Sequence, residues 1–382
     1  MNVEIIGSTK PNFILEKQEA IKFSGKSAGI CYMPENIDIL FHEPEEKSMK
    51  RANNTLKNGH HSVFDHVTYN LSLSNIPKIL AMILNNEGMY TTSEKSARYT
   101  KMEPSKEEKD LYEKWIEIYK KEILKKYPDL EEKRALKLAQ ENARYLISIF
   151  TPATTMEYTT SLRQINYIMT FLENYIENEP DIPFNQKLKP VLQEFINQLS
   201  ILKVEDLNAN VKERTISLFE KREHAQEFGE CYSVNYYGTF AEYAQAQRHR
   251  TLRYQLKIEE NPDFYVPKII RNNEELVKEW KQDISSLKEL YPQGMLVKIN
   301  ERGTVEDFVL KCKERLCGAT QLEIALQTKE IMDLYLENVK TKNSSVYEYL
   351  KPYASGVRCT FKGFKCESPC MWGAKGALNR DI

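Results

Sequence analysis

The densest group of side chains that could do chemistry lies at residues 245–253. It reads Gln-Ala-Gln-Arg-His-Arg over residues 245–250, and Arg253 follows. On a helix, Gln245 and Arg248 would share one face, as residues three apart do. A solvated basic face is one interpretation. The other is an anion site, because apolar neighbours would partly desolvate the arginines and a guanidinium group matches phosphate or carboxylate geometry. These neighbours are Tyr243, Ala244, Ala246 and Tyr254.

Arg315 stands shortly before a second polar group, Gln321 and Glu323. At the start of a predicted helix, Gln321 and Glu323 could be ordinary capping residues that compensate the helix dipole. That interpretation leaves Arg315 unexplained. Ser96 and Arg98 form a third group, in which a hydroxyl and a guanidinium could bind one phosphate together.

Three histidines, His60, His61 and His66, directly precede a predicted strand. Metal binding would need a His or carboxylate partner elsewhere at a defined spacing, and the sequence does not compel one. Because imidazole has many roles besides coordination, histidines at a helix end or in the core are the favoured interpretation.

Cys359, Cys366 and Cys370 lie close together near the end of the chain. Thiolates at such spacing in a reducing compartment indicate zinc or an iron–sulfur cluster, with a fourth ligand from Cys317 or Cys312. We expect Cys317 to be that ligand. The spacing is not that of a standard zinc knuckle, and free thiols in a mobile tail are the alternative.

The composition excludes several classes of protein. The 382 residues include 54 Lys and Arg against 55 Asp and Glu, so the net charge of −1 provides no general attraction to nucleic acid. No stretch approaches the roughly 20 apolar residues that cross a bilayer. The N-terminus lacks the pattern of a signal peptide, and seven Cys are not a secreted disulfide framework. We expect a cytoplasmic protein without membrane or nucleic-acid partners.

The elements that must position these groups are mostly helical. Alternation from Val67 to Leu73 predicts a half-buried strand, and Ser105 with Glu108 predicts a capping box. The fold class is therefore α+β with helices dominant. Apolar spacing predicts helices over residues 46–58, 105–119, 130–149, 156–176, 186–202, 239–256, 273–291 and 319–339.

Taken together, these residues resemble the flavin-dependent thymidylate synthases, or thymidylate synthase complementing proteins. The family pattern has His-x-Ser before a strand, Arg-His-Arg, Ser-x-Arg-Tyr, Ala-Arg, Thr-x-Asn-x-Arg and Arg-x5-Gln-x-Glu-Ile. The first half of this chain matches some of these motifs, at His60-His61-Ser62, Ser96-Ala97-Arg98-Tyr99, Ala143-Arg144 and residues 159–163, which end at Arg163. The second half matches the others, at Arg248-His249-Arg250 with Gln245 before it, and at Arg315, Gln321, Glu323 and Ile324.

The two sets are degenerate in a complementary way. The first half has Asn86-Glu87-Gly88 in place of Arg-His-Arg and Leu172 in place of the late arginine, whereas the second half has Ile258 and Glu260 in place of Ser-x-Arg. The resemblance therefore implies a tandem duplication. Its parts are a first synthase-like half at 1–180, a helical linker at 181–212, a second synthase-like half at 213–345 and a Cys-containing tail at 346–382.

Family members are homotetramers whose sites lie between subunits, so the resemblance implies a homodimer of double-length chains that acts as a pseudo-tetramer. Arg315 and Arg248 would be the catalytic residues. The substrate contacts implied are Ser96, Arg98, Arg144, Gln245, Arg248 and Arg315. The FAD contacts implied are His60, Ser62, Arg163, Arg248, His249 and Arg250.

The activity implied is FAD-dependent thymidylate synthesis. The enzyme would methylate dUMP at C5, with methylenetetrahydrofolate as one-carbon donor and NADPH as reductant, and no cysteine nucleophile would be needed. One alternative is a flavin-dependent one-carbon transferase that acts on another pyrimidine nucleotide. The other is a non-catalytic homologue that only binds a nucleotide.

Overall fold

The structure is a computed structural model, and it describes residues 1–9, 14–34, 36–95, 104–209 and 214–382. Helices dominate these residues. In chain order they are α1 (Lys17–Tyr32), α2 (Ile37–His42), α3 (Glu45–Lys57), α4 (Lys78–Leu84), α5 (Lys106–Lys126), α6 (Glu132–Ala143), α7 (Leu162–Asn178), α8 (Pro183–Leu199), α9 (Phe240–Ala246), α10 (Glu274–Ser286), α11 (Val305–Arg315), α12 (Leu322–Val339), α13 (Ser344–Leu350) and α14 (Gly373–Gly376).

The strands of the described residues form two antiparallel sheets of four strands each. They are β1 (Asn2–Ser8), β2 (Thr68–Pro77), β3 (Tyr90–Glu94), β4 (Pro152–Ser161), β5 (Glu227–Phe228), β6 (Cys231–Thr239), β7 (Arg253–Lys257) and β8 (Leu296–Thr304). The strand orders are β1-β2-β4-β3 and β5-β6-β8-β7, so the two sheets have the same connectivity. The fold class is α+β, as the sequence predicts.

The same strand–helix plan occurs around each sheet. Strand β2 runs directly into α4 and β6 runs directly into α9, and both of these helices have seven residues. Strand β4 likewise runs into α7, and β8 into α11. In each case the last strand residue, Ser161 or Thr304, caps the helix by accepting a hydrogen bond from a backbone N–H of its first turn.

The chain divides into two compact units that alternate along the sequence. Unit 1 contains residues 1–103 and 150–217, and unit 2 contains residues 104–149 and 218–382. Helices α5 and α6 therefore belong to unit 2, although they lie between β3 and β4 in sequence. The sequence-based boundaries at 180, 212 and 345 concern a duplication, and they stay predictions.

Aromatic packing explains why α5 belongs to unit 2. The Trp115 ring on α5 meets the Trp280 ring on α10 edge to face, with centroids 4.8 Å apart. The Trp115 indole N–H also donates to Asp283 Oδ2 at 2.7 Å. Both tryptophans are fully buried, and burial of two large rings with a satisfied indole N–H stabilises this packing strongly.

Several sequence-based expectations of local structure can be compared with these elements. The β2 strand and the capping box at Ser105 are confirmed, since Glu108 N donates to Ser105 Oγ and Ser105 N to Glu108 Oε2. The predicted helix over 156–176 is wrong in its first part, because residues 156–161 pair with β2 and β3. Met156, Tyr158 and Thr160 are buried there and the residues between them are more exposed, which is the two-residue period of a strand.

The predicted helix over 239–256 is also wrong in its second part. Helix α9 ends at Ala246, and residues 253–257 form a strand that pairs with β8. The Tyr254 hydroxyl donates to the Ala246 carbonyl at 3.0 Å, which satisfies a carbonyl at the helix end. Among the described residues, we find no helix both long and apolar enough to span a membrane.

Candidate functional site

Arg315 and His249 form the centre of a polar cluster in unit 2. Arg315 is the last residue of α11, and its Nε donates to His249 Nε2 at 2.8 Å. Its Nη2 donates to the backbone oxygen of Gln245 at 3.0 Å. Among the described residues, nothing accepts a hydrogen bond from Arg315 Nη1, so this end of the guanidinium group can still bind an acceptor.

His249 is held neutral at this position. Burial, together with the charges of Arg315 and Lys311, lowers its pKa to about 2. Because Nε2 accepts from Arg315, the ring proton belongs on Nδ1. Glu314 lies 3.9 Å from His249, but a neutral imidazole does not form an ion pair with it. His249 therefore orients Arg315 and does not compete with it as a cation.

Helix α11 places a second cation one turn before Arg315, and its charge is neutralised. Lys311 Nζ lies 2.5 Å from Glu301 Oε2, and both side chains are fully buried. The Tyr232 hydroxyl donates to the other oxygen of Glu301 at 2.7 Å. In a buried ion pair whose oxygens are also hydrogen-bonded, both charges are compensated within the protein. Arg315 has only a long ion pair, at 4.0 Å, with the largely exposed Glu314 carboxylate, so its charge is less fully compensated than that of Lys311.

Gln321 connects this cluster to Arg144, a residue far away in sequence. Arg144 Nη2 donates to Gln321 Oε1 at 3.1 Å, and Gln245 Nε2 donates to the same oxygen. Gln321 Nε2 donates to the Tyr145 hydroxyl at 2.5 Å. The structure thus brings together the predicted substrate contacts Arg144, Gln245 and Arg315 in one hydrogen-bonded set within unit 2.

Glu323 continues this network. Its Oε2 accepts hydrogen bonds from the Tyr145 hydroxyl at 2.6 Å and from Thr239 Oγ1 at 2.9 Å, and its Oε1 accepts from Thr239 N at 3.1 Å. Burial raises the pKa of Glu323 to about 7, against the effect of these donors. The capping interpretation is wrong for Gln321, which stands at the N-cap position of α12 but makes no side-chain cap bond. Glu323 does lie in the first turn of α12, as dipole compensation requires, and it also binds groups outside the helix.

A buried carboxyl group, Glu242, also lies near this cluster. It is fully buried, and among the described residues neither of its oxygens has a hydrogen-bond partner. Burial raises its pKa to about 8, although the Lys311 and Arg315 charges oppose the rise. Sequence reasoning missed Glu242, Tyr145 and Thr239. Of these, Tyr145 had a signal, since it directly follows the Ala143-Arg144 motif.

Arg248 and Arg250 lie on either side of buried His249 and are both exposed. They belong to the turns between α9 and β7, so the helical face expected for Gln245 and Arg248 does not exist. Among the described residues, none forms an ion pair with the Arg248 guanidinium group. An exposed cation beside a helix end is suited to bind an anion from solution.

The predicted FAD contacts of the first half lie in unit 1. His60 and Ser62 are exposed. Arg163 pairs with Asp65 at 2.6 Å and lies over the Tyr167 ring. The neighbouring His61 is buried and hydrogen-bonded to the Tyr167 hydroxyl at 2.9 Å. His60 and His66 flank the 3₁₀ helix His61–Asp65, which is the helix-end position that the sequence favours for them.

Two predicted substrate contacts, Ser96 and Arg98, lie outside the described residues. A polar pocket in unit 2 contains none of the predicted site residues. It lies over the second sheet and is lined in part by His224, Gln255 and Lys298. The cluster around Arg315 is therefore distinct from this pocket.

Unit 1 has a different arrangement at the positions that correspond to the Arg315 cluster. The residue two positions after α4 is Asn86, and the residue two positions after α9 is Arg248. The eleventh residue of α7 is Leu172, and the eleventh residue of α11 is Arg315. Glu87 takes the position of His249. It is buried and accepts hydrogen bonds from Arg214 and from Ser217 N.

The seven cysteines are all free thiols. Among the described residues, which include every cysteine, no group of three or more His, Cys, Asp or Glu side chains is arranged to hold a metal ion. The metal predicted at Cys317, Cys359, Cys366 and Cys370 is therefore not shown by the structure.

The first part of the chain is similar in sequence to a known protein family. Residues 14–173 match the family model of the thymidylate synthase complementing proteins. Those residues are therefore similar to that family. The matched segment includes His60, Ser62, Arg144 and Arg163 of the predicted site. No curated protein is similar enough in sequence to count as a match.

Solved structures similar to the chain include two of the flavin-dependent thymidylate synthase of Helicobacter pylori with FAD and dUMP. They are 15% and 14% identical, each covers 53% of this chain and 100% of its own, and the TM-scores are 0.30 and 0.31. Another is a UMP/dUMP methylase of Streptomyces cacaoi bound with 5-Br dUMP. It is 14% identical, covers 53% of this chain and 91% of its own, and has a TM-score of 0.34.

Proposed function

We propose that this protein is an FAD-dependent thymidylate synthase. It transfers a one-carbon unit to C5 of dUMP, with methylenetetrahydrofolate as donor and NADPH as reductant. The observation that supports this most is the hydrogen-bonded set of Arg144, Gln245, Gln321 and Arg315. It joins a residue of the family-matched segment to the family motifs of the second half.

The cluster suits a small anion with an amide-like ring. A nucleotide monophosphate carries close to two negative charges at neutral pH, and Arg144, Arg248 and Arg315 are cations within unit 2. Gln245 adds an amide oxygen that can accept a hydrogen bond from a uracil edge. The Gln321 amide is occupied by its bonds to Arg144, Gln245 and Tyr145, so its role is to position the first two. Ser96 and Arg98 are proposed as further phosphate contacts on the resemblance alone.

Arg315 has the properties required of an electrostatic catalyst. It is largely buried, fixed by His249 and by the Gln245 carbonyl, and one guanidinium nitrogen stays available. A positioned cation in such a site stabilises the negative charge that develops on the uracil oxygens when C5 becomes nucleophilic. Arg248, which is exposed beside it, is proposed to help bind the nucleotide and to share this role.

The residues that would hold FAD fit an anionic cofactor. Arg248 and Arg250 present exposed cations on one turn, and buried His249 fixes that turn between them. His60, Ser62 and Arg163 lie in unit 1, and their role rests on the resemblance alone. Bound FAD would supply the redox chemistry and relay the one-carbon group, while the protein provides positioning and charge.

We also propose that the chain is a tandem duplication that works as a homodimer. The shared strand order and the two matching strand–helix units support this proposal. The first copy has lost Arg-His-Arg at residues 86–88 and the late arginine at Leu172. Arg214 and Ser217 of its own chain bind Glu87 at this place. Because of this loss, the protein should have fewer active sites than it has copies of the repeated unit.

The decisive experiment is tritium release from C5-labelled dUMP in the presence of FAD, NADPH and methylenetetrahydrofolate. We expect release that depends on all three. Arg315→Ala should abolish it, whereas Arg253→Ala, an exposed arginine of β7 outside the cluster, should not. A protein that does not bind FAD at all would contradict the proposal.

The same preparation distinguishes the two alternatives. If dUMP does not perturb the flavin spectrum but UMP or another pyrimidine nucleotide does, the substrate differs from the one proposed. If nucleotides bind without any tritium release or flavin reduction, the protein is a binding homologue.

A further inference from the structure

Three of the seven cysteines come close together in unit 2 although they lie in distant parts of the chain, and a fourth lies in the same tail segment as two of them. Cys317 directly follows α11, and Cys359 lies in the tail. Arg358 N donates to the Leu316 carbonyl at 2.7 Å. Because these two residues immediately precede Cys359 and Cys317, the hydrogen bond places the two cysteines side by side.

Cys370 packs against the residue that follows Cys317. A Cβ atom at Gly318 would lie 2.5 Å from Cys370 Sγ, which is closer than any real side chain could approach. The absence of a Cβ atom at Gly318 therefore lets the thiol approach the backbone here. This contact brings a third cysteine to the end of α11.

Cys366 belongs to the same tail segment. It lies seven residues after Cys359 and four residues before Cys370, and its side chain is exposed. The other three cysteines of the chain do not belong to this group. Cys31 and Cys231 are exposed elsewhere, and Cys312 is buried inside α11.

A buried cation lies beside these thiols. Arg380 is 4% exposed, its Nε donates to the Ile382 carbonyl at 2.6 Å and its Nη2 donates to the Thr320 carbonyl. Among the described residues, Nη1 has no partner although it is buried. Thr320 N donates in turn to the Cys317 carbonyl at 3.1 Å, which places the Arg380 side chain near Cys317. A cation with a free donor favours thiolates, and it would offset the negative charge of a metal–thiolate centre.

We infer that Cys317, Cys359, Cys366 and Cys370 bind one zinc ion, which fastens the tail to the end of α11. Four thiolates around a tetrahedral ion at about 2.3 Å form a closed structural site. The thiols are neighbours but are not arranged as ligands in the structure, so their side chains rotate on binding. The thiols lose their protons to solvent as the Zn–S bonds form.

The site has a structural purpose that does not depend on the proposed catalysis. Beyond α13 the tail has little regular structure, with short 3₁₀ turns and the four residues of α14. Val357, Phe361, Ala377 and Ile382 of this segment are nevertheless buried. A metal would add its binding free energy to this packing, because a preformed site is absent from the unfolded chain. Cys317 N also donates to the Arg315 carbonyl at 2.8 Å, so the zinc would lie close to the residue at the centre of the cluster.

The test is the metal content of the full-length protein, purified without chelators and measured by mass spectrometry of zinc and iron. We expect about one zinc ion per chain. Serine variants at each of the four cysteines should lose most of the zinc, whereas the matched controls Cys31→Ser and Cys231→Ser should keep it. Equal zinc in all six variants, or no zinc in the parent protein, would overturn the inference.

A second measurement covers the case in which the serine variants do not fold. The parent protein is prepared with Co²⁺ in place of zinc, and tetrathiolate cobalt absorbs in the red region, where oxidised flavin does not. Absence of these bands would refute a four-thiolate site, and iron with acid-labile sulfide would show a cluster in place of zinc. Both measurements are independent of flavin and nucleotide binding, so failure of the zinc site and failure of the proposed function can be distinguished.

Discussion

Arg315 Nε donates a hydrogen bond to Nε2 of a neutral, buried His249 at 2.8 Å. The hydrogen bond fixes the plane of the guanidinium group, because a neutral imidazole acceptor has one lone pair with one direction. It explains the middle residue of the Arg-His-Arg motif. The outer arginines, Arg248 and Arg250, are exposed, and the histidine between them is buried and holds Arg315.

Replacement of Arg315 by lysine should weaken nucleotide binding. An ammonium group keeps the charge but cannot bond His249 and the Gln245 carbonyl while it also presents a nitrogen to the ligand. We expect the affinity for dUMP, measured by calorimetry, to fall roughly 10- to 100-fold. Arg253→Lys on β7 is the matched control and should bind as the parent does. Unchanged affinity of Arg315→Lys would exclude Arg315 as a direct contact.

Glu242 should make the protein less stable as the pH rises. Its pKa is about 8 in the folded protein and about 4.5 in the unfolded chain, so the unfolded chain releases this proton first as the pH increases. The contribution is fully present below pH 4.5 and is lost by about pH 8, at up to roughly 1.4 kcal/mol per pH unit. The free energy of unfolding of Glu242→Gln, compared with that of the parent, should therefore be more favourable at pH 8 than at pH 5.

Urea unfolding at several pH values measures this effect. Glu177→Gln, at an exposed position of α7, is the control and should follow the parent at every pH. Parallel curves for Glu242→Gln and the parent would show that Glu242 keeps an ordinary pKa.

Tyr145→Phe should destabilise unit 2. The hydroxyl accepts from Gln321 Nε2 and donates to Glu323 Oε2, so its removal leaves two buried polar groups each short of a partner. We expect a loss of about 1–3 kcal/mol in the free energy of unfolding, with weaker dUMP binding because Gln321 also positions Arg144. Tyr349→Phe, at a half-exposed tyrosine, is the control. A variant as stable as the parent would mean that water replaces the hydroxyl.

Glu87→Gln should separate stability from nucleotide binding. The buried carboxylate accepts from Arg214 and from Ser217 N, and the neutral amide would weaken both contacts in unit 1. We expect a loss of about 1–3 kcal/mol in the free energy of unfolding. The loss should lie toward the lower value, because Arg214 is partly exposed and solvent weakens its contact with Glu87. The affinity for dUMP should not change. A large change would mean that residues 86–88 still take part in a site.

The sequence alone determined which residues could do chemistry and how the two halves differ. Arg-His-Arg at 248–250, Arg315 with Gln321 and Glu323, and the substitution at 86–88 are readable because motif spacing survives without any coordinates. The β2 strand and the Ser105 capping box were also predictable, since both depend on local periodicity and on side-chain bonds within one turn.

Only the tertiary structure decided how distant residues meet. Arg144 and Gln321 are 177 residues apart, and the packing of α5 and α6 into unit 2 brings them together. The strands at 156–161 and 253–257 likewise depend on pairing with partners far along the chain, which can override a helical pattern. Burial, finally, made His249 a neutral acceptor and Glu242 a proton-holding acid, because desolvation depends on neighbours that sequence spacing does not reveal.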